Sequence, residues 1–125
     1  MGAYEFNPPM EAQMRFTPQM LNCNSKGKWV KAHFTLPEGF LPENVDVNEP
    51  AVLTIEPAQM QIASHHMNVF VDNEAFVKVE VAFDRQSFCD ALSDDNGSID
   101  VEVVGYLTTG QSFYGLDTIR IKARH

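Results

Sequence analysis

His65 and His66 stand side by side in the sequence, and neutral imidazole is a common ligand for transition metals. A metal needs its ligands to converge on one point, whereas adjacent residues of a strand point to opposite faces. No C-x-x-C pair and no third histidine lies nearby, so structural or exposed histidines are expected and no metal ligand is assigned. Cys89 would be a nucleophile only beside a histidine base, and a buried thiol is the simpler expectation. Asp72, Asn73 and Glu74 offer oxygen atoms to calcium, as do Asp94, Asp95, Asn96 and Asp100. Neither run has the 1-3-5 alternation and closing glutamate of an EF-hand loop. Turns are rich in these residue types because their side chains bond their own backbone. Trp29, Tyr106 and Tyr114 are candidates for an outer aromatic platform against which sugar rings could stack. Lys26-Gly27-Lys28 beside Trp29 has the residue types of a nucleic-acid patch, and Asn96-Gly97-Ser98 matches the N-glycosylation acceptor; turns account equally well for both. The chain contains no G-x-S-x-G elbow, no H-E-x-x-H and no phosphate-cradling G-x-x-x-x-G-K-[ST]. No catalytic, cofactor-binding or metal-binding residue is therefore assigned, and the chain is expected not to be an enzyme.

Elements must position whatever chemistry there is, and composition bounds them. The chain has 125 residues, of which 44% are apolar and 21% charged, so it can build one core but not two. About two-thirds of the unfolded surface is buried in a domain of this size. Seventeen acidic and nine basic residues give a net charge of −8, which argues against nucleic acid or an anionic membrane as the main partner. The acidity is concentrated between residues 41 and 100, where the net charge is −10. No apolar run is long enough to span a bilayer, and no basic start followed by an apolar run suggests a signal peptide within these residues. Cys23 and Cys89, 66 positions apart, allow one disulfide or two buried thiols. Their expected places, a strand end and a helix, favour thiols.

The strand signals begin after Pro18. Residues 1–16, with Pro8-Pro9 and no clear periodicity, read as an extended linker or the tail of something preceding. Residues 17–125 read as one module. Gln19–Cys23 is a short strand, and Val30, Ala32, Phe34 and Leu36 form an inward row opposite Lys31, His33 and Thr35. Val45 and Val47 are placed to pack inward from a proline-punctuated loop. Short strands follow at Val52–Ile55, Gln59–Ala63 and Met67–Val71, with a turn at Asp72-Asn73-Glu74. Val77, Val79, Val81 and Phe83 make the clearest strand. Then the period changes, and Phe88, Ala91 and Leu92 share one face of a short helix capped by Asp84. After the turn signal Asp94–Gly97, the row Ile99, Val101, Val103, Gly105 and Leu107 leads through Thr109-Gly110 to strands at Ser112–Tyr114 and Thr118–Lys122. Seven to nine strands and one short helix, with no helices for crossovers, predict an all-β antiparallel sandwich.

Two stretches carry a resemblance. Gly2-Ala3-Tyr4-Glu5-Phe6 resembles the D-x-G-A-Y-E-[YF] ending of right-handed parallel β-helix domains in large bacterial surface and secreted proteins. From about Phe16 to Ile121 the chain resembles a recurrent small module found in tandem with such domains. The marks are Leu21-Asn22, Ser25–Val30, Leu36–Phe40, Val81-Ala82-Phe83-Asp84-Arg85, Gly105–Gly110 and Phe113–Arg120. The resemblance implies an immunoglobulin-like sandwich serving as a non-catalytic spacer, cap or interaction unit of an exported multidomain protein, secreted or at the cell surface. Its implied partners are neighbouring domains of the same polypeptide, such as a parallel β-helix, and a protein or glycan; no cofactor is implied. Carbohydrate or calcium binding is the alternative. Many relatives carry an acidic D-x-D-x-D-G-type segment before the F-D-R strand; here it is Val71–Lys78, lacking the glycine and with Lys78 where a carboxylate is expected. No calcium ligands are carried over.

Overall fold

The structure, a computed structural model, describes residues 8–23, 27–56, 60–92 and 97–122. Gly2–Phe6, the turn residues 24–26 and 94–96, Pro57 and Gln59 lie outside the described residues. The strands are β1 (Met10–Glu11), β2 (Gln13–Thr17), β3 (Met20–Asn22), β4 (Trp29–Thr35), β5 (Val52–Glu56), β6 (Met60–Ala63), β7 (His66–Val71), β8 (Val77–Asp84), β9 (Gly97–Tyr106) and β10 (Ser112–Lys122). An α-helix, α1 (Arg85–Leu92), follows β8 directly. A six-stranded sheet runs β1-β10-β9-β5-β6 with β3 also on β10, and a four-stranded sheet runs β2-β4-β8-β7. The fold is an all-β sandwich.

The inward rows read from the alternation are the core. Val30, Ala32, Phe34 and Leu36 are fully buried, as are Val79, Val81 and Phe83 on β8 and Val101 and Val103 on β9. Phe34 of one sheet meets Phe113 of the other edge-on, with centroids 5.0 Å apart. Phe88, Cys89 and Leu92 of α1 close one end of this core. Asp84 caps α1 as expected, its Oδ2 accepting the Ser87 backbone N–H at 2.9 Å. Val45 is buried, but Val47, expected inward, is 54% exposed.

Three expectations are corrected. First, residues 10–16 are not linker: β1 and β2 belong to the two sheets, and the boundary at 16 falls inside β2. Met10, Ala12, Met14 and Phe16 form an alternating row, which the prolines before it obscure; Phe16 is completely buried. Second, Cys23 and Cys89 are bridged rather than free, with Cα atoms 5.8 Å apart. Cys23 follows β3 and Cys89 lies on α1, so the bridge fastens the edge of one sheet to the helix leaving the other. Third, the sandwich is not wholly antiparallel. β1 and β3 both pair with β10 in parallel, with Met10 opposite Phe113 and Leu21 opposite Ile121. The two expected final strands are one continuous strand.

Candidate functional site

The aromatic residues proposed as a platform are divided between the two sides of the sandwich. Ser112 pairs with Tyr106 and Tyr114 with Val104, so the two tyrosines are diagonal neighbours on the outer face of the six-stranded sheet. Val52 and Thr54 of β5 share that face through their pairing with Val104 and Glu102. Two open depressions cross it. One, about 580 Å³, is lined by Glu56, Asp100, Glu102, Leu116 and Thr118 among others. The other, about 390 Å³, is lined by Pro9, Glu102, Val104, Ser112 and Tyr114. Thr118 Oγ1 donates to Asp100 Oδ1 at 2.7 Å. The face is thus apolar and aromatic near Tyr114 and acidic towards Asp100.

Trp29 sits on the four-stranded sheet, where its neighbour Val30 points inward. Its indole packs against His65 and His66, with centroids 4.6 and 4.9 Å away, and Lys28 Nζ lies 5.2 Å from the ring centre. The two histidines do not point apart, as a regular strand would require. His65 lies in a bend ahead of β7, and the two Nδ1 atoms are 3.4 Å apart. Among the described residues no three His, Cys, Asp or Glu side chains come together in a group able to hold a metal ion.

Several other titratable groups serve the fold locally. Asp72 Oδ1 accepts the backbone N–H groups of Glu74 and Phe76 at 2.9 and 3.0 Å, and its Oδ2 faces Lys78 Nζ at 3.6 Å. The Phe76 N–H is the main reason its carboxyl lies below the usual range. Its oxygens are therefore committed to the turn and to an ammonium. On the outer face of the four-stranded sheet, Glu80 faces Lys31 at 3.5 Å and His33 at 3.6 Å, and His33 Nε2 is hydrogen-bonded to Thr17 Oγ1 at 2.8 Å. Burial holds the His33 imidazole below its ordinary value, outweighing the upward pull of Glu80. Cys89 carries no nucleophilic thiol because it is bridged.

Asp117, which is not among the candidate residues above, organises the corner between β2 and β3. Its Oδ2 accepts the Phe16 backbone N–H at 2.8 Å and the Gln19 amide at 2.9 Å. The signal was in the alternation: Phe113, Gly115, Ile119 and Ile121 point inward, and Asp117 falls in the same row. A carboxylate at an inward position needs a partner. No family model, curated protein or solved structure matches the chain.

Proposed function

We propose that the chain is a non-catalytic structural module of an exported multidomain protein, an immunoglobulin-like spacer, cap or interaction unit. One observation carries this reading: several of the residues that mark the resemblance are spent on holding the sandwich together. Gly105 has no room for a Cβ, which would lie 2.5 Å from Phe113 Cζ. Gly115 has none either, since a Cβ there would overlap Met14 of β2. Asp117 holds the β2–β3 corner, Asp84 caps α1, and Arg85 donates from Nη2 to the Asn22 carbonyl at 2.9 Å. Arg85 also packs against Gly27. The strand orders β2-β4-β8-β7 and β6-β5-β9-β10 support the immunoglobulin-like reading, because they match the order of such a sandwich with β6 added beside β5 and with β1 and β3 lying along β10. The disulfide suits an oxidising compartment, and among the described residues no helix is long and apolar enough to cross a membrane.

The test is substitution at the two close approaches. Gly105→Ala and Gly115→Ala should each lower the urea midpoint by the equivalent of about 1–3 kcal/mol, the usual cost of overpacking. Unchanged midpoints at both positions would mean that these residues do not hold the fold. A second reading, carbohydrate binding, is favoured by the diagonal tyrosines beside the depression at Pro9, Glu102 and Ser112. Stacking would use the Tyr114 ring, with Glu102 and Ser112 accepting and donating to hydroxyls. Titration calorimetry against a panel of oligosaccharides, repeated with Tyr114→Ala, checks it.

A further inference from the structure

The N-terminal segment follows the last strand from end to end, in the same direction. Gln111 Nε2 donates to the Pro8 carbonyl at 2.9 Å. β1 then pairs with Phe113 and Tyr114, and the Ala12 N–H reaches the Tyr114 carbonyl at 2.8 Å. Met14 lies against Gly115, and the Phe16 N–H reaches Asp117. The Arg120 N–H donates to the Gln19 carbonyl at 2.9 Å, and β3 pairs with Arg120, Ile121 and Lys122. Two strands of one chain that run parallel have their outer ends at opposite ends of the pair. The chain leaves at residue 8 beside Gln111, and at residue 122 beside Asn22. Tension between these exits acts along the strands and slides one past the other.

We infer that this module is built to bear tension through its ends, with the contacts between residues 8–22 and 111–122 as its mechanical clamp: backbone pairing through β1 and β3, and between them Met14 and Phe16 of β2, itself paired with β4, held against Gly115 and Asp117. Under sliding load the bonds from Pro8 to Asn22 share the force and must fail together. If the same bonds were loaded from one end, they would fail one at a time. The disulfide adds a limit, because it closes residues 23–89 into a covalent loop that tension cannot lengthen. The biological use of the clamp rests on the spacer reading above, while its mechanics do not.

Single-molecule extension of the 125-residue chain tests this in two attachment geometries. With handles at the two chain ends, the bonds are sheared. With one handle at the N-terminus and the other at Thr109, in the exposed turn beside Gln111, the same bonds are unzipped from one end. Forced unfolding reports the barrier along the pulled direction, and peak force should be at least about two-fold higher in shear than in unzipping. Equal forces would overturn the clamp.

The same traces read the bridge. In shear, residues outside the closed loop should release roughly 14 nm, and adding a reductant should raise the step to roughly 37 nm at about 3.6 Å per residue. Equal forces with the short step would reject the clamp and leave the stapled module standing. A long step without reductant would remove the disulfide that supports the module reading, while the force ratio would still decide the clamp.

Discussion

Phe16→Ala is the sharpest probe of how the N-terminal segment is built in. Phe16 is completely buried in β2, and its ring centroid lies 5.5 Å from that of Phe88 on α1. Its backbone N–H is held by Asp117, and it pairs with Ala32 in the neighbouring strand. Removing a fully buried phenyl ring costs about 3–5 kcal/mol through lost transfer energy and the cavity left behind. A domain of this size loses about 4 °C of melting temperature per kcal/mol, so the variant should melt roughly 12–20 °C lower by calorimetry. Arg15→Ala, one residue earlier on the exposed side of the same strand, should stay within about 0.5 kcal/mol of the parent. A linker would tolerate both changes equally. If Phe16→Ala lowers the melting temperature by less than about 4 °C, β2 is not an integral strand and the clamp loses its middle section.

Other outcomes follow from individual contacts. Asp117→Ala leaves the Phe16 N–H without its acceptor and should cost about 1–3 kcal/mol in urea titration. Asp117→Asn keeps an acceptor oxygen and should cost less. Ala75 has φ of 69°, so Ala75→Gly should stabilise by about 0.5–1 kcal/mol; a loss would mean that the turn does not hold this conformation. Acidification should weaken the fold in two windows. His33 is lowered in the folded state, so the unfolded chain binds the extra proton first and stability falls as pH drops below about 6.5. Asp72 and Asp84, lowered chiefly by the backbone N–H groups of Phe76 and Ser87, contribute stability that is present above about pH 4 and lost as pH falls further. Urea midpoints at pH 7.5, 5.5 and 3 check both, and His33→Gln should flatten the first window alone.

The sandwich was legible because most of its strands alternate cleanly. Val77 to Phe83 and Ile99 to Leu107 could be placed on inner faces from period alone, and Asp84 as a cap from the change of period after it. What was not legible was non-local. The row from Met10 to Phe16 alternates, but Pro8-Pro9 and its distance from the other strand signals made it read as linker. Parallel pairing with β10 brings together residues about a hundred positions apart, which no local pattern announces. The disulfide depended on a similar unknown, because no local pattern shows that the end of β3 lies against α1, where Cys89 sits. His65 and His66 were expected to diverge by the rule for strands, and the bend at His65 removes that rule's premise. The aromatic platform divided for a related reason: Trp29 and the tyrosines are outward on different sheets, and sheet membership is a property of topology.

Thiol labelling of the native protein is the sharpest check on the proposal that this disulfide-stapled module belongs to an exported protein. Protein recovered from the producing cells would be fractionated into cytosol, cell surface and medium, then alkylated before and after reduction and examined by mass spectrometry. Protein is expected at the surface or in the medium, with Cys23 and Cys89 unreactive until reduced and then both labelled. Cytosolic protein with two thiols open to alkylation in the denatured, unreduced sample would contradict it.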